Sequence, residues 1–280
     1  MKFACTQLSL IKALSIVDKA VSVRTTIPVL KGILLNVKDN RLYLTASDLD
    51  LSIETSIEVQ ADEEGSLVVN AKLFEDIIRK LPSAIVKIKE TSGKLTISCL
   101  GSEFSIVTLP ADEFPSIGMV NELNKVVLDK EIFKSLIKKT SFAASIDEKK
   151  GTLTGCLLSF NKKSLEIAAL DGFRMAIANA PINGPERKVI IPARILNEVS
   201  KILSESDTSE VLLIIDEKKA EIFNEETRIV IRLLEGEFIK YKDIIPKEYK
   251  TRAIISVKEM QAAIERASLL AKEGKNNLIK

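Results

Sequence analysis

A long internal repeat constrains this chain more than any other feature. "PVLKGILLNV" at 28–37 and "GTLTGCLLSF" at 151–160 each read as a turn, a glycine and an apolar strand. At a shift of 123 residues Leu30 stands over Leu153 and Gly32 over Gly155. The same shift sets "LTASDLDLS" (44–52) over "IAALDGFRM" (167–175), Asp48 over Asp171, and "KAVS" (19–22) over "FAAS" (142–145). At 122, "NAKLFEDIIRKL" (70–81) meets "PARILNEVSKIL" (192–203); at 124, "EF" at 113–114 meets "EF" at 237–238. Order is kept and the shift barely drifts, so the chain is a tandem duplication. The period is longer than the roughly 20–50 residues of a solenoid unit, so each copy is a domain. A third copy opens where "KVVLDKEIFKSLIKKTSF" (125–142) finds its echo in "RAIISVKEMQAAIERASL" (252–269). The expected domains are 1–121, 122–250, and 251–280 as the start of an incomplete third.

Each copy reads as α+β. Leu10, Ile11, Leu14, Val17 and Val21 have helical spacing within 8–22. Strands at 33–37 and 41–45 flank the turn Lys38-Asp39-Asn40, and Leu51, Ile53 and Ile57 continue the strand pattern. A second helix spans 71–81 with Asn70 as its N-cap. Three more strands follow, "AIVKIKE", "KLTISCL" and "EFSIVTL", the first two joined at Ser92-Gly93. Each copy is therefore itself a doubled β-α-β-β-β unit, with two helices on one face of an antiparallel sheet. In the second copy the helices are 129–143 and 193–203, with Pro192 at a first helical position; Ser256 and Glu259 form a capping box in the third. Segments 110–124 and 238–251 are linkers.

Several chemistries are excluded. The chain has no histidine, which rules out triads and imidazole acid–base work. Cys5, Cys99 and Cys156 are odd in number and far apart, so they read as buried reduced thiols and not as a metal site or disulfide frame, which fits a cytoplasmic protein. No apolar run reaches about eighteen residues, and "MKFACTQLSL" is no secretory signal, so no membrane association is expected. Asp48 and Asp50 alternate along a strand, and with Asp171 they are the carboxylates a metal-dependent nuclease would use. The repeat instead puts Asp48 and Asp171 at equivalent places in different domains. "SGKLTIS" is a hairpin turn and lacks phosphate-loop spacing. No nucleophile has a base, so the expectation is a non-enzyme without metal or cofactor.

Charge points to a polyanion. The helical segments 8–22, 71–81, 129–143 and 193–203 carry +1, +1, +2 and +1, so +5 together, whereas the whole chain carries +2 and the remainder −3. A basic helical layer on an acidic remainder can cradle phosphates. With no Trp and three Tyr, stacking on single-stranded bases is disfavoured. A protein-interaction scaffold is the competing reading; it would leave those charges without a common face.

The stretches "SVRTTIPVLKGILL", "LTASDLDLSI", "LPADEFP" and "ALDGFRMAIA" resemble the bacterial sliding clamps, the beta subunits of DNA polymerase III, in order and spacing over the whole chain. The resemblance implies three such domains per chain. Two chains close head to tail into a ring around duplex DNA, helices inside and sheets outside. The implied function is that of a processivity factor in DNA replication, tethering the replicative polymerase without reading sequence. By position, Arg24, Lys72 and Arg194 fall on DNA-touching sites. A DNA-contacting loop falls on 147–152, with Lys149 and Lys150 as its cations; Gly151 and Thr152 stand where the family carries aromatics. A pocket for polymerase and clamp-loader peptides falls on Leu153, Leu170, Gly172, Phe173, Arg174, Met175, Ile239 and Ile244. Here Phe173 replaces a common histidine and Ile239 a common proline. The third copy, 252–271, supplies one strand and one helix, so these 280 residues are expected to be a monomer that slides off DNA, in place of the family's homodimer.

Overall fold

The computed structural model describes residues 1–22, 25–118, 124–274 and 278–279. It divides into two compact units, 1–238 and 239–280.

In the first unit the duplication is plain. β1 (Lys2–Thr6) runs into α1 (Gln7–Val17), followed by the meander β2 (Gly32–Lys38), β3 (Arg41–Ser47) and β4 (Leu51–Glu58). β5 (Gln60–Glu63) and β6 (Gly65–Asn70) lead to α2 (Ala71–Lys80); β7 (Ile85–Thr91), β8 (Lys94–Cys99) and β9 (Ser102–Leu109) complete the copy. The second copy repeats this as β10 (Lys125–Asp129), α3 (Lys130–Thr140), β11 (Gly155–Asn161), β12 (Ser164–Leu170) and β13 (Met175–Pro181). It ends with β14 (Arg187–Pro192), α4 (Ala193–Ser204), β15 (Glu210–Ile215), β16 (Lys219–Asn224) and β17 (Thr227–Arg232).

Every strand pairing is antiparallel. Thirteen strands form one sheet in the order β10-β15-β16-β17-β4-β3-β2-β6-β9-β8-β7-β1-β5, and β13-β12-β11-β14 form another. The copies are fused at β4 and β17, where Ile53 opposes Ile229 and Glu54 opposes Arg228. The linker adds to this joint: the Arg228 guanidinium donates to the Gly118 carbonyl and pairs with buried Glu221.

Local chemistry sets the element ends. Thr6, Asn70 and Asp129 cap α1, α2 and α3 by accepting from Ser9, Leu73 and Ile132 N–H at 3.1, 3.0 and 2.8 Å. Pro192 differs from expectation. It is the N-cap of α4 and the last residue of β14, one place before the first helical position. The helix expected over 8–22 ends at Val17 and tightens into a 3-10 turn, Asp18–Ala20; α3 likewise gives way at Ser141–Ala143. Asp39 and Asn40 both have positive φ, 49° and 57°, which makes the two-residue turn joining β2 to β3.

Between helices and strands lies the core, with Leu10, Leu14, Phe74, Phe133 and Phe160 buried. The three cysteines are free and buried, and burial pushes the Cys5 and Cys156 thiols up to about 12. Gly32 and Gly155 open equivalent strands with the same backbone, φ −109° and −108°. A Cβ on Gly32 would stand 2.4 Å from Val68 Cγ1 and 2.7 Å from the Val69 carbonyl; on Gly155, 2.6 Å from Ile190 Cγ2. Close packing against β6 and β14 is why a glycine recurs at this point of the repeat.

The second unit holds a 3-10 turn, Tyr241–Asp243, and α5 (Val257–Ala271). Ser256 Oγ accepts from Glu259 N–H at 3.4 Å, the expected cap. The strand expected before it does not form: 252–256 is irregular, because a strand needs a ladder partner and this unit offers none among its described residues. Ile264, Leu269 and Leu270 of α5 are exposed.

Candidate nucleic-acid face and partner groove

α1 packs on α2 and α3 on α4, and each pair lies against strands of its own copy. The apolar stripes face the core, which leaves the charged residues outward. Many of these charges are answered within the helices. Arg79 pairs with Glu75 and with Asp76 at 3.5 Å; Lys134 pairs with Glu131 at 3.0 Å and Lys201 with Glu198 at 2.8 Å. Lys19 reaches Glu205 of the second copy at 3.5 Å. Lys12, Lys72, Lys80, Lys138 and Lys139 have no ion-pair partner among the described residues. Between α3 and α4 runs an open groove of about 890 Å³, lined by Lys134, Lys138 and Lys201 and by the serines 135, 200 and 204, with Glu131 and Phe142 also on its wall. Ammonium and hydroxyl donors suit phosphate oxygens, and the one aromatic ring of the lining, Phe142, has the Arg174 guanidinium 5.7 Å from its centre.

The residues expected to touch DNA fare differently. Arg24 lies outside the described residues. Lys72 is exposed on the first turn of α2 and unpaired. Its repeat counterpart Arg194 is on α4, and its guanidinium donates to Asp48 Oδ2 at 2.9 Å across the two copies. Lys149 is exposed. Lys150 is drawn to the other site: its ammonium donates to the Asp171 carbonyl at 2.9 Å and sits 5.5 Å from the centre of the Phe173 ring. Lys138 and Lys139 enter the sequence reading only as part of a net charge, yet their spacing carried a signal: no carboxylate stands three or four residues from either, whereas Glu131 and Glu198 stand three residues before Lys134 and Lys201.

The turn 171–174 positions the groove residues. Asp171 Oδ1 accepts from Phe173 and Arg174 N–H at 2.9 and 3.0 Å, while Oδ2 takes the Arg174 guanidinium at 3.0 Å. The two backbone donors, then that guanidinium, hold the Asp171 carboxyl below its ordinary range. Gly172 occupies φ +95°, which an L side chain would strain. Arg174 also lies 5.7 Å from the ring centre of Phe142. Phe173 is 94% and Ile146 99% exposed, with Met175 and Ile177 partly exposed on edge strand β13; Leu170 is buried and Leu153 half-buried. Ile146 carried no motif and Phe142 only the repeat matches at 125–142 and 142–145; Phe142 lies in the 3-10 turn after α3 and Ile146 in the loop beyond it. Ile239 and Ile244 belong to the second unit and are exposed there.

Asp48 makes the same turn one copy earlier, accepting from Asp50 and Leu51 N–H at 3.1 and 2.7 Å. Asp48 and Asp171 are therefore spent on turns in separate copies, and the Asp50 carboxylate faces Arg232 at 3.8 Å. Among the described residues no three acidic or cysteine side chains cluster for a metal. No helix among them is long and apolar enough to cross a membrane.

Comparison with known proteins agrees with this architecture. Residues 1–118 match the family model of the DNA polymerase III beta subunit, N-terminal domain, and 127–240 that of its central domain. The chain is 36% identical to a "Beta sliding clamp" of Bacillus subtilis, over all of this chain and 77% of that protein. A similar protein of Halalkalibacterium halodurans is 37% identical over 94% of this chain and 73% of its own length. The solved DNA polymerase sliding clamp of Bacillus subtilis superposes with a TM-score of 0.94 at 36% identity, covering 99% of this chain and 76% of that one. With the duplicated fold, the β4–β17 joint and two matched domain models in place, the chain belongs to the bacterial sliding-clamp family, the beta subunits of DNA polymerase III.

Proposed function

We propose that this protein is a non-catalytic DNA polymerase processivity factor. It holds duplex DNA through phosphate contacts on its helices and carries the replicative polymerase and clamp-loader subunits by short peptides. Clamp domains at 1–121 and 122–250, with a third beginning at 251, serve that role. The observation that carries the reading is the set of five lysines without an ion-pair partner on α1, α2 and α3, helices whose own phenylalanines, Phe74 and Phe133, are buried in the core. Lys149 extends that set, and Arg24 is assigned to the DNA by the family resemblance of "SVRTTIP"; Arg194 and Lys150 contribute charge from paired positions. The peptide surface is formed by Leu153, Leu170, Gly172, Phe173, Arg174 and Met175, with Arg174 fixed by Asp171 as its polar anchor.

Two strand edges could take up the further clamp domains that a ring needs beyond the two in residues 1–250. β9 meets β6 only at Thr108 and Leu109, and β13 ends its sheet. In the repeat, β9 corresponds to β17 and β13 to β4, the two strands that fuse the copies. The same joint can recur at both edges, as a closed ring of clamp domains requires.

Tethering is tested directly by bridging. A peptide with a Gln and terminal Leu and Phe anchors is immobilised, and labelled duplex DNA is passed over it at low salt. The protein should retain the duplex on the peptide, and free peptide or high salt should release it. If the protein binds the peptide yet retains no duplex, or binds neither, the reading fails.

A further inference from the structure

The groove residues have counterparts one repeat earlier, and those counterparts line a cavity of their own. Stepping back 123 residues, Leu170, Gly172, Phe173 and Met175 become Ser47, Leu49, Asp50 and Ser52; at 124, Ile239 becomes Pro115. All five of these counterparts border a cavity of about 220 Å³ beside the β4–β17 joint. Its far wall is Lys219, Val230 and Arg232 of the second copy, and linker residue Ile117 covers it.

The chemistry has changed between the copies. Where the later groove has Leu170 and Met175, the cavity has two serines whose hydroxyls bond each other at 2.8 Å. Where the groove has an exposed phenylalanine, the cavity has Asp50. That carboxylate stands 3.8 Å from the Arg232 guanidinium, and the Arg232 N–H bonds the Asp50 carbonyl at 2.8 Å. Asp50 therefore answers Arg232, and Lys219 is left over. Lys219 is half-buried as a residue, and its ammonium lies beside Gly118, 3.0 Å from where a Cβ there would stand. It has no carboxylate within ion-pair distance among the described residues. An ammonium that lines a cavity without a carboxylate partner favours an anion supplied from outside. Beside it, Leu49 is half-exposed and Val230 and Ile117 add an apolar wall, so the space suits a carboxylate joined to an aliphatic group.

We propose that this joint cavity is a second docking site, taking an acidic side chain of a short peptide with its aliphatic neighbour on Leu49 and Val230. The counterpart argument rests on the groove reading, whereas the cavity and its unpaired ammonium stand without it.

The test is a methyl-NMR titration of the full chain with acetyl-Glu-Leu-amide, acetyl-Gln-Leu-amide and sodium acetate. The Glu peptide should move the methyls of Leu49, Ile117 and Val230 and leave those of Leu153, Leu170 and Met175 in place. The Gln peptide should bind at least about tenfold more weakly, and K219M should weaken the Glu peptide by a similar factor, as expected for a charge-assisted contact. Equal binding of the Gln and Glu peptides, or no effect of K219M in a sample whose other methyls are unchanged, overturns the proposal. Acetate matching the peptide in affinity would reduce the cavity to an anion site and overturn the peptide assignment. The groove reading is judged separately in the same sample: a Gln-Leu-Phe peptide should move Leu153, Leu170 and Met175.

Discussion

Replacing Gly32 with alanine puts a methyl group 2.4 Å from Val68 Cγ1, 2.7 Å from the Val69 carbonyl and 3.1 Å from the Val29 carbonyl. The valine side chain can turn, but two backbone oxygens cannot without moving β6 or the 3-10 turn before β2. Overpacking of this kind costs about 1–3 kcal/mol. The alanine also stiffens the unfolded chain, which returns about 0.4–1 kcal/mol. The net expectation is a loss of about 1 kcal/mol, or about 2–4 °C in Tm for a protein of this size. At Gly155 the nearest atoms are methyls of Ile190 and Leu234, at 2.6 and 2.7 Å, with one carbonyl at 2.9 Å. Side chains yield more readily than backbone, so G155A should cost about half as much. Gly184 is the control, since its nearest neighbours lie at 3.5 Å or beyond. Urea denaturation of the three variants should rank them Gly32, Gly155, Gly184 in order of loss. A G32A protein as stable as G184A would refute the claim that close approach explains the recurring glycine.

The exposed pair between Arg194 and Asp48 should be worth less than about 1 kcal/mol, so R194A should barely move the urea midpoint. Because that guanidinium is already engaged, R194A should also change the salt dependence of DNA binding less than K72A does. Asp171 should titrate below the ordinary aspartate value of about 3.9, followed by carboxyl ¹³C shifts. Its folded pKa is lowered, so its contribution to the 171–174 turn is present above the ordinary value and is lost as pH falls through the lowered one. In R174A that pKa should rise only part of the way, because the backbone donors come first; titration at the ordinary value in the parent would contradict the turn geometry.

The duplication, the helix positions and the α+β class were legible because apolar period and turn residues are local signals. Asn70 announced its helix through the same capping chemistry the structure uses, whereas Asp129, read as the first residue of a helix over 129–143, is the cap before it. Pro192 misled by one place, since a strand running straight into a helix lets one residue end the first and cap the second. The strand at 252–256 misled for a different reason: alternation marks what can pair, not whether a partner is there. At the site, the glutamates three residues before Lys134 and Lys201 were legible, but answers from distant parts of the chain were not. Lys150 turns to the Phe173 turn and Arg194 to Asp48 through contacts spanning 21 and 146 residues. The joint cavity was hidden likewise, because Lys219 and Ser47 meet only when β17 adds to β4.

The central claim is that the unpaired helical lysines hold duplex DNA by its phosphates. The direct measurement is a salt titration of duplex binding by the parent and by a variant with Lys72, Lys138 and Lys139 changed to alanine. Binding should be equal for unrelated sequences, and log affinity should fall linearly with log salt. The variant's slope should be shallower by about 2–3, close to 0.9 for each phosphate contact removed. Parent and variant binding with the same slope and affinity would place the DNA elsewhere on the molecule and contradict the account.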